Sequence, residues 1–307
     1  AAGKRFRPAL LLATHQAYGG LPGPVVDRVA AAVELLHTAL LVHDDVIDGD
    51  LTRRGVPNVA GTFSQAARER GAAAEGQHTL GLAAGVLAGD LALVGATKAI
   101  ATCGAGPVTV GRLLDLLERA VWVTCAGELA DVSGSVHPGT VTTLVQAITM
   151  EEQKTAVYSF QLPMQLGAVL AGVDDDVVRG LGEVGRLAGI GFQLVDDLHG
   201  VFGDSRRTGK STLGDLREGK MTPLMTHARS TDVWPRIAPH LGDRALDESG
   251  AAVVRAMLEE CGSRDFIEGL ADDYVAAALR LAEQHGLGTA LLDELATLTR
   301  RILASAA

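Results

Sequence analysis

The stretch Leu35 to Gly55, LLHTALLVHDDVIDGDLTRRG, places four aspartates directly after an apolar run. Leu36, Leu40, Asp44 and Asp48 recur every four residues, so a helix here has one face that is apolar for two turns and acidic for the next two. Two carboxylates about 5 Å apart in a partly buried wall repel by roughly 3 kcal/mol at an effective dielectric constant of about 20. A divalent cation reverses the sign of that energy, and oxygen ligands from few side chains suit Mg²⁺.

A second acidic pair favours a metal site over the alternative, a solvated acidic helix end. Asp196 and Asp197 follow another apolar run, GIGFQLVDDLHGVFGD. Basic residues suited to phosphate flank both clusters, with Arg53 and Arg54 after the first and Lys210 after the second. Two acidic walls with cations at their rim predict a magnesium-diphosphate site, provided that both walls converge on one cavity.

The composition of the chain favours packed helices. Hydrophobic residues make up 47% of the 307 residues but aromatic residues only 4%, so Ala, Leu, Val and Gly must fill the core. No stretch alternates between apolar and polar residues for long enough to predict a strand. We therefore predict an all-α fold, in which residues 1–307 form a single large helical bundle with a central cavity and both acidic ends at its mouth.

Charge, cysteine content and hydropathy limit the partners and the compartment that suit this protein. A net charge of −10 makes nucleic acid an unsuitable partner. Cys103, Cys125 and Cys261 lie far apart and without metal-ligand spacing, which is typical of thiols in a reducing compartment. We recognise no signal peptide and no uncharged run of eighteen apolar residues. These features predict a cytoplasmic protein without stable membrane insertion.

Six motifs follow one another along nearly the whole chain. They are GKRFRP at Gly3 to Pro8, HDDVID with TRRG at His43 to Gly55, LAGD at Leu87 to Asp90, KTAVYSF at Lys154 to Phe160, GFQLVDD at Gly191 to Asp197, and GDSRRTGKS at Gly203 to Ser211. In this order they resemble the all-trans polyprenyl diphosphate synthase family, and geranylgeranyl diphosphate synthases within it. Six motifs in one order are far more specific than any single motif.

The resemblance implies a fold, a reaction and an assembly. The fold is that of the isoprenoid synthases, and the reaction is the Mg²⁺-dependent, head-to-tail condensation of isopentenyl diphosphate with dimethylallyl, geranyl or farnesyl diphosphate. The family pattern also implies a homodimer, and a helix before GKRFRP that this sequence lacks.

The acidic residues are assigned to metal binding by the same resemblance. Asp44 and Asp48 are expected to ligate two Mg²⁺ ions and Asp196 a third, with the allylic diphosphate between them. Asp45 and Asp197 are expected to orient these ligands without binding the metal themselves. About three divalent ions per active site would neutralise the leaving group.

The second acidic cluster departs from the family pattern at one position. Many relatives have DDxxD here, whereas this chain has Gly200 in place of the last aspartate. Asp204 and Asp215 are the possible substitutes for the missing carboxylate. Relatives with glycine at this position are common among synthases of intermediate product length.

Four basic residues are expected to bind the diphosphate of isopentenyl diphosphate. Lys4 and Arg7 lie three positions apart, so on one helical turn they project together. His37 precedes Asp44 by two helical turns and shares its face. By resemblance, these three residues act together with Arg54.

The remaining residues assigned by resemblance surround the allylic substrate. Its diphosphate is expected to contact Arg53, Lys154 and Lys210, and Lys220 is expected to help close the loop. Thr155 and Gln193 resemble the residues whose oxygens face the allylic cation, which an apolar cavity alone stabilises poorly. The released diphosphate can take the proton, so no protein base is needed.

The length of the product is expected to depend on the apolar turns before Asp44. By family pattern, Ala39 and Leu40 form the upper floor of the product tunnel. At about 0.8 kcal/mol per buried CH₂, each added five-carbon unit is favoured by about 3 to 4 kcal/mol if the tunnel admits it. Because Ala39 is small, we expect a product of twenty carbons, geranylgeranyl diphosphate, or a longer chain.

Two further functions remain as alternatives. A terpene cyclase has a similar helical fold and ionises the same substrates, but it does not need the second phosphate site of Lys4, Arg7 and Arg54. A non-catalytic regulatory subunit would usually lose part of an acidic cluster, and Gly200 is the one point in its favour.

Overall fold

The computed structural model describes residues 5–53, 55–136, 142–203 and 212–287. Three of the predicted site residues, Lys4, Arg54 and Lys210, lie outside the described residues, as does Asp204.

Helices dominate the described chain, as predicted. The first half contains α1 (Phe6–Ala17), α2 (Pro24–Ile47), α3 (Val59–Glu69), α4 (Ala74–Ala101) and α5 (Pro107–Val136). The second half contains α6 (Leu144–Glu151), a π-helix (Glu152–Gln161), α7 (Leu162–Ala171), α8 (Asp175–Phe202), α9 (Gly214–Glu218), α10 (Pro223–Arg229), α11 (Trp234–Ile237), a 3₁₀ turn (Ala238–His240), α12 (Glu248–Glu260) and α13 (Ser263–Gln284). The prediction of an all-α fold is confirmed.

A small hairpin follows α2, although no alternating pattern in the sequence predicted a strand. Its two strands, β1 (Thr52–Arg53) and β2 (Val56–Pro57), pair antiparallel. Gly55 has a φ of 76°, a left-handed conformation that glycine adopts without strain. The hairpin keeps Arg53 close to the acidic end of α2.

Helix α8 connects two hydrophobic clusters. Leu181 and Val184, in its first half, belong to a cluster with buried side chains of α1, α2, α5 and α7. Leu194 and Leu198, in its second half, belong to a cluster with α10, α12 and α13. The second acidic pair is therefore carried by the helix that runs through both parts of the core.

Helix α2 packs closely on α4 through glycines. A Cβ atom on Gly85 would overlap the side chain of Val46, and one on Gly89 would overlap the ring of His43. These glycines let the two helix backbones approach. The opposite side of the end of α2, which carries Asp44, is left to face α5.

The KTAVYSF motif lies in a π-helix. This segment, Glu152–Gln161, lies between α6 and α7. Pro163 is in the first turn of α7, where proline is well tolerated. The change in helical winding therefore comes before the proline, and it includes the KTAVYSF motif.

Glycines of the neighbouring helices receive this π-helix. A Cβ on Gly185 or Gly189 of α8 would collide with backbone atoms of the π-helix, and so would one on Gly127 of α5. Because glycine has no side chain, the helices on both sides leave room for a segment that is wider than an α-helix. The same close approach brings Lys154 onto α5.

Helix α4 is the one helix of the described residues that is long and apolar enough to cross a bilayer, judged by length and composition only. In its most apolar window 22% of the residues are buried. Leu87, Leu91 and Val94 are among the exposed side chains. The helix therefore has an apolar face that the other described residues leave exposed.

Gly127→Ala should destabilise the protein, because its methyl group would overlap the backbone at Gln153 and Lys154. We expect the free energy of unfolding to fall by about 1 to 3 kcal/mol, which is typical of overpacking. Gly111→Ala is the matched control on the same helix, since no atom lies within 4 Å of its Cβ position. It should be neutral or stabilising by up to about 1 kcal/mol. Denaturant unfolding followed by far-UV circular dichroism measures both, and equal stabilities would contradict the close approach.

Candidate active site

Three carboxylates meet where the end of α2 faces α5. One oxygen each from Asp44, Asp48 and Glu128 lies within 4.8 Å of the others. Asp44 and Asp48 were predicted from their spacing, whereas Glu128 was not. The available signal was the pair Glu128 and Asp131, which recur three positions apart on one face of α5.

The ionised forms of Asp48 and Glu128 are disfavoured at this position. Burial, followed by repulsion from Asp44, raises the pKa of Asp48 to about 6. Burial also raises the pKa of Glu128. A bound cation would relieve both effects, and an all-oxygen donor set of this kind fits Mg²⁺.

Lys154 lies among these carboxylates. Its Nζ atom is 2.7 Å from Asp131, 3.0 Å from Glu128 and 3.4 Å from Asp44. Burial alone would lower the pKa of Lys154, but Asp131, Asp44 and Glu128 together raise it above its ordinary value. The lysine is therefore held firmly in its charged form at the acidic centre.

Arg53 covers the other side of the first acidic cluster. Its guanidinium donates to Asp44 at 2.8 Å and to Asp45 at 2.7 Å. Asp45 is buried and Asp44 half-buried. Arg53 thus connects Asp45, which was predicted to orient the metal ligands, to the predicted ligand Asp44.

The second acidic cluster contains a buried carboxyl pair. Asp197 is in contact with Glu151 of α6, and each side chain is 6% exposed. Burial raises the pKa of Asp197 to about 7, and burial with repulsion from Asp197 raises that of Glu151 well above its usual range. At neutral pH the pair therefore retains a proton. Glu151 was not predicted, because it adjoins Glu152 and two acids in a row on a helix look like surface residues.

Two other predicted residues lie on α8 next to this pair. Gln193 donates from its amide nitrogen to Asp197 at 3.1 Å. Asp196 is half-buried and adjacent to Asp197 in the chain. The amide of Gln193 therefore orients Asp197 in the structure, and its expected role toward an allylic cation stays a prediction.

Lys220 connects the two acidic clusters electrostatically. Its Nζ lies 3.0 Å from Glu218. Burial opposes its charge, but Asp215, Glu218 and Asp48 raise the pKa of Lys220 above its ordinary value. Since Asp215 also acts on Asp197, the acidic ends of α2 and α8 belong to one electrostatic centre.

Arg7 and His37 meet at the π-helix. The buried Arg7 guanidinium donates to Ser159 Oγ at 2.8 and 3.0 Å, and to Tyr158 Oη at 3.4 Å. The same phenolic oxygen lies 3.4 Å from Nδ1 of His37. Arg7 and His37 are thus brought together as predicted, through Tyr158 and Ser159, which sequence reasoning missed.

The remaining predicted residues lie beside this centre. Thr155 is half-buried next to Lys154. Ala39 is buried on the face of α2 that also carries His43 and Val46, so it faces α4. Leu40 is partly buried and packs against the first core cluster.

Comparisons with known sequences point to one family. The polyprenyl synthetase family matches residues 1–254. The geranylgeranyl diphosphate synthase of Methanosarcina mazei is 34% identical over 275 residues, which are 90% of this chain and 78% of the relative. The geranylgeranyl diphosphate synthase of Mycobacterium tuberculosis is 31% identical over 280 residues, 90% of this chain and 74% of the relative.

Solved structures agree with the sequence comparison. A geranylgeranyl pyrophosphate synthase from Corynebacterium glutamicum, complexed with isoprenyl diphosphate and magnesium, has a TM-score of 0.88 and 29% identity, with 98% of this chain and 86% of that chain covered. A polyprenyl synthetase from Streptomyces coelicolor has a TM-score of 0.84 and 27% identity, with coverage of 98% and 85%. By sequence, fold and acidic centre together, this chain belongs to the polyprenyl synthetase family and is a trans-prenyltransferase.

Proposed function

We propose that this protein is a geranylgeranyl diphosphate synthase, which extends dimethylallyl, geranyl or farnesyl diphosphate with isopentenyl diphosphate in a Mg²⁺-dependent reaction. The observation that carries the proposal is the acidic centre in which oxygens of Asp44, Asp48 and Glu128 converge while a charged lysine contacts two of these groups. The names of relatives support a twenty-carbon product. A longer chain is the second candidate, because a geranylfarnesyl diphosphate synthase from Aeropyrum pernix is 31% identical.

The reaction breaks the C–O bond of the allylic diphosphate and joins its C1 to C4 of isopentenyl diphosphate, with loss of one proton. Bound Mg²⁺, about three ions in our proposal, would neutralise the diphosphate leaving group. Asp44, Asp48 and Asp196 would be its protein ligands. Asp45 would orient Asp44 through their shared guanidinium, and Asp197 would fix the end of α8.

The cations at the acidic centre are suited to holding the allylic diphosphate. Lys154 and Arg53 both contact Asp44, so a diphosphate bridged to that carboxylate would lie between them. Lys210 is assigned the same task, and Lys220 is placed to close the site over the acidic residues. Thr155 and Gln193 would offer oxygen dipoles to the allylic cation.

Arg7 and His37 are assigned to the diphosphate of isopentenyl diphosphate, together with Lys4 and Arg54. Ser159 and Tyr158 support this assignment, because their hydroxyl groups fix the Arg7 guanidinium in the interior. The two basic groups therefore approach the reaction centre from the side of the π-helix. The released diphosphate is proposed to take the proton.

We also propose a homodimer in the cytoplasm. Two exposed apolar stripes with heptad spacing support the dimer, Leu80, Leu87 and Val94 on α4 and Trp122, Leu129 and Val136 on α5. Trp122 is 72% exposed and Leu91, beside the first stripe, is 73% exposed. Such faces are normally covered by a partner. All three cysteines are free thiols, which fits a reducing compartment.

Product analysis tests the proposed function. The purified protein with Mg²⁺, farnesyl diphosphate and isopentenyl diphosphate should give geranylgeranyl diphosphate, and chelation of the metal should abolish turnover. Asp48→Asn should lower kcat by about a hundredfold or more, because it removes a charged ligand. Asp27→Asn, an exposed acid at the other end of α2, is the matched control and should leave kcat unchanged.

Other products of this assay would overturn the proposal. A longer diphosphate would establish the polyprenyl alternative, and a hydrocarbon would establish a cyclase. No turnover by a folded protein would indicate a regulatory subunit.

Ala39→Phe should shorten the product, since a ring at this buried position would fill the space between α2 and α4 that our proposal assigns to the growing chain. We expect farnesyl diphosphate to become the main product from geranyl diphosphate and isopentenyl diphosphate, measured by chromatography after dephosphorylation. Ala31→Phe, at an exposed position of the same helix, should leave the products unchanged. An unaltered spectrum for a folded Ala39→Phe protein would refute the role of position 39.

Leu91→Glu should weaken the dimer, because it would bury a charge in the proposed interface. Sedimentation equilibrium should show a dimer for the wild type and a large monomer fraction for the variant. Val253→Glu is the matched control. It replaces another exposed apolar residue, on α12, by the same acid, and this variant should remain dimeric. A wild-type monomer that floats with lipid vesicles would instead assign the apolar face to a membrane surface.

A further inference from the structure

The guanidinium group of Arg255, on α12, contacts two separate parts of the chain. Its Nε donates to the backbone carbonyl of Val201 at 2.6 Å, and its Nη2 donates to Oγ1 of the buried Thr212 at 3.1 Å. The remaining nitrogen, Nη1, contacts the exposed Glu248 at 2.6 Å. Because the donors of arginine lie in one rigid plane, a single side chain sets the separation of both acceptors.

The first contact holds the end of α8. The carbonyl of Val201 belongs to the last turn of this helix, where carbonyl groups generally lack a partner within the helix. A positive charge at this end also suits the helix dipole. A second arginine, Arg264 of α13, lies over the ring of Phe202 at 4.7 Å. Helices α12 and α13 thus fix the end of the helix that carries the second acidic pair.

Both contact points lie close in the chain to groups of the acidic centre. Val201 follows Asp197 by four residues, which is about one helical turn. Thr212 leads into α9, and α9 is followed by Lys220, which interacts with the first acidic cluster. The separation that Arg255 sets is therefore the separation between the second acidic cluster and the segment that carries this lysine.

Other contacts keep α9 attached to the core. The side chain of Arg217 donates to the carbonyl of Leu246 at 2.7 and 2.9 Å. The N–H of Gly242 donates at 2.8 Å to the carbonyl of Leu216, a buried residue of the cluster formed with α10, α12 and α13. Without Arg255, α9 would therefore stay in place on the core, while hydrogen bonds would no longer fix its distance from the end of α8.

We propose that Arg255 is a positioning residue for the diphosphate end of the active site, which sets the place of α9 and Lys220 relative to the acidic end of α8. This inference rests on the proposed function, because a diphosphate is the group that both parts would bind together. Arg255 acts through Val201 and Thr212, so the role needs no contact with the substrate.

Binding of inorganic pyrophosphate in the presence of Mg²⁺, measured by isothermal titration calorimetry, tests the proposal without turnover. Arg255→Met keeps the apolar stem but removes the hydrogen bonds, and it should weaken this binding by about tenfold or more. Arg255→Lys keeps the charge and should recover part of the loss. Arg236→Met is the matched control, because it removes an exposed arginine that pairs with Glu260, and it should bind as the wild type does. A folded Arg255→Met protein with wild-type binding would overturn the inference.

Steady-state kinetics separate positioning from a loss of stability. Arg255→Met should raise KM for farnesyl diphosphate by about tenfold but change KM for isopentenyl diphosphate by less than about twofold. The second value should hold because Arg7 and His37, assigned to isopentenyl diphosphate, lie at the π-helix. A residue that only stabilised the fold would lower the melting temperature and change neither KM, and that result would contradict the proposal.

Thr212→Val shows whether Arg255 and Thr212 act as one unit, since it removes one acceptor with little change in shape. It should raise KM for farnesyl diphosphate less than Arg255→Met does, and adding it to Arg255→Met should change that value by less than about twofold. Effects that multiply in the double variant would contradict the shared role. A wild type that binds Mg²⁺ and pyrophosphate but makes no prenyl diphosphate would count against the proposed function alone, and calorimetry of the variants would still decide the role of Arg255.

Discussion

Mutual repulsion between carboxylates is the constraint on which this structure depends. At about 4 Å and an effective dielectric constant of about 20, each pair of charges costs about 4 kcal/mol. Asp44, Asp48 and Glu128 are nevertheless within 4.8 Å of one another. Lys154 and Arg53 offset the repulsion by contacts with these groups. Clustered acids lower the stability of the fold. The arrangement therefore indicates a site for cations.

The cations reach the acids because glycines allow the helices to approach closely. Gly127 of α5 lies against the backbone at Lys154, and Gly185 and Gly189 of α8 lie against the other side of the π-helix. Packing and electrostatics are thus coupled, since the glycines position the lysine that balances the carboxylates.

The sequence predicted the parts of this site that periodicity encodes. Asp44 and Asp48 share a face because they lie four residues apart, and this relation holds in any α-helix. Glu128 and Glu151 were missed, because an acid within a long helix is normally a solvated residue and only tertiary packing shows that these two are turned inward. The π-helix was missed for a similar reason. The helix widens where glycines of the neighbouring helices make room for it, and their positions in space are not visible in the sequence.

The ion pairs of the acidic centre also indicate how the site changes when it is filled. Asp44 contacts both Arg53 and Lys154, so these two cations occupy the carboxylate oxygens that a divalent ion would need. If such an ion bound there, the oxygens of a diphosphate would offer both cations further partners, while Arg53 would keep its contact with Asp45. Asp131 retains a contact of 2.7 Å with Lys154, so this side chain can pivot without losing its charge partner. On the proposed function, metal and diphosphate would therefore favour each other's binding, because each would supply charges that complement the other.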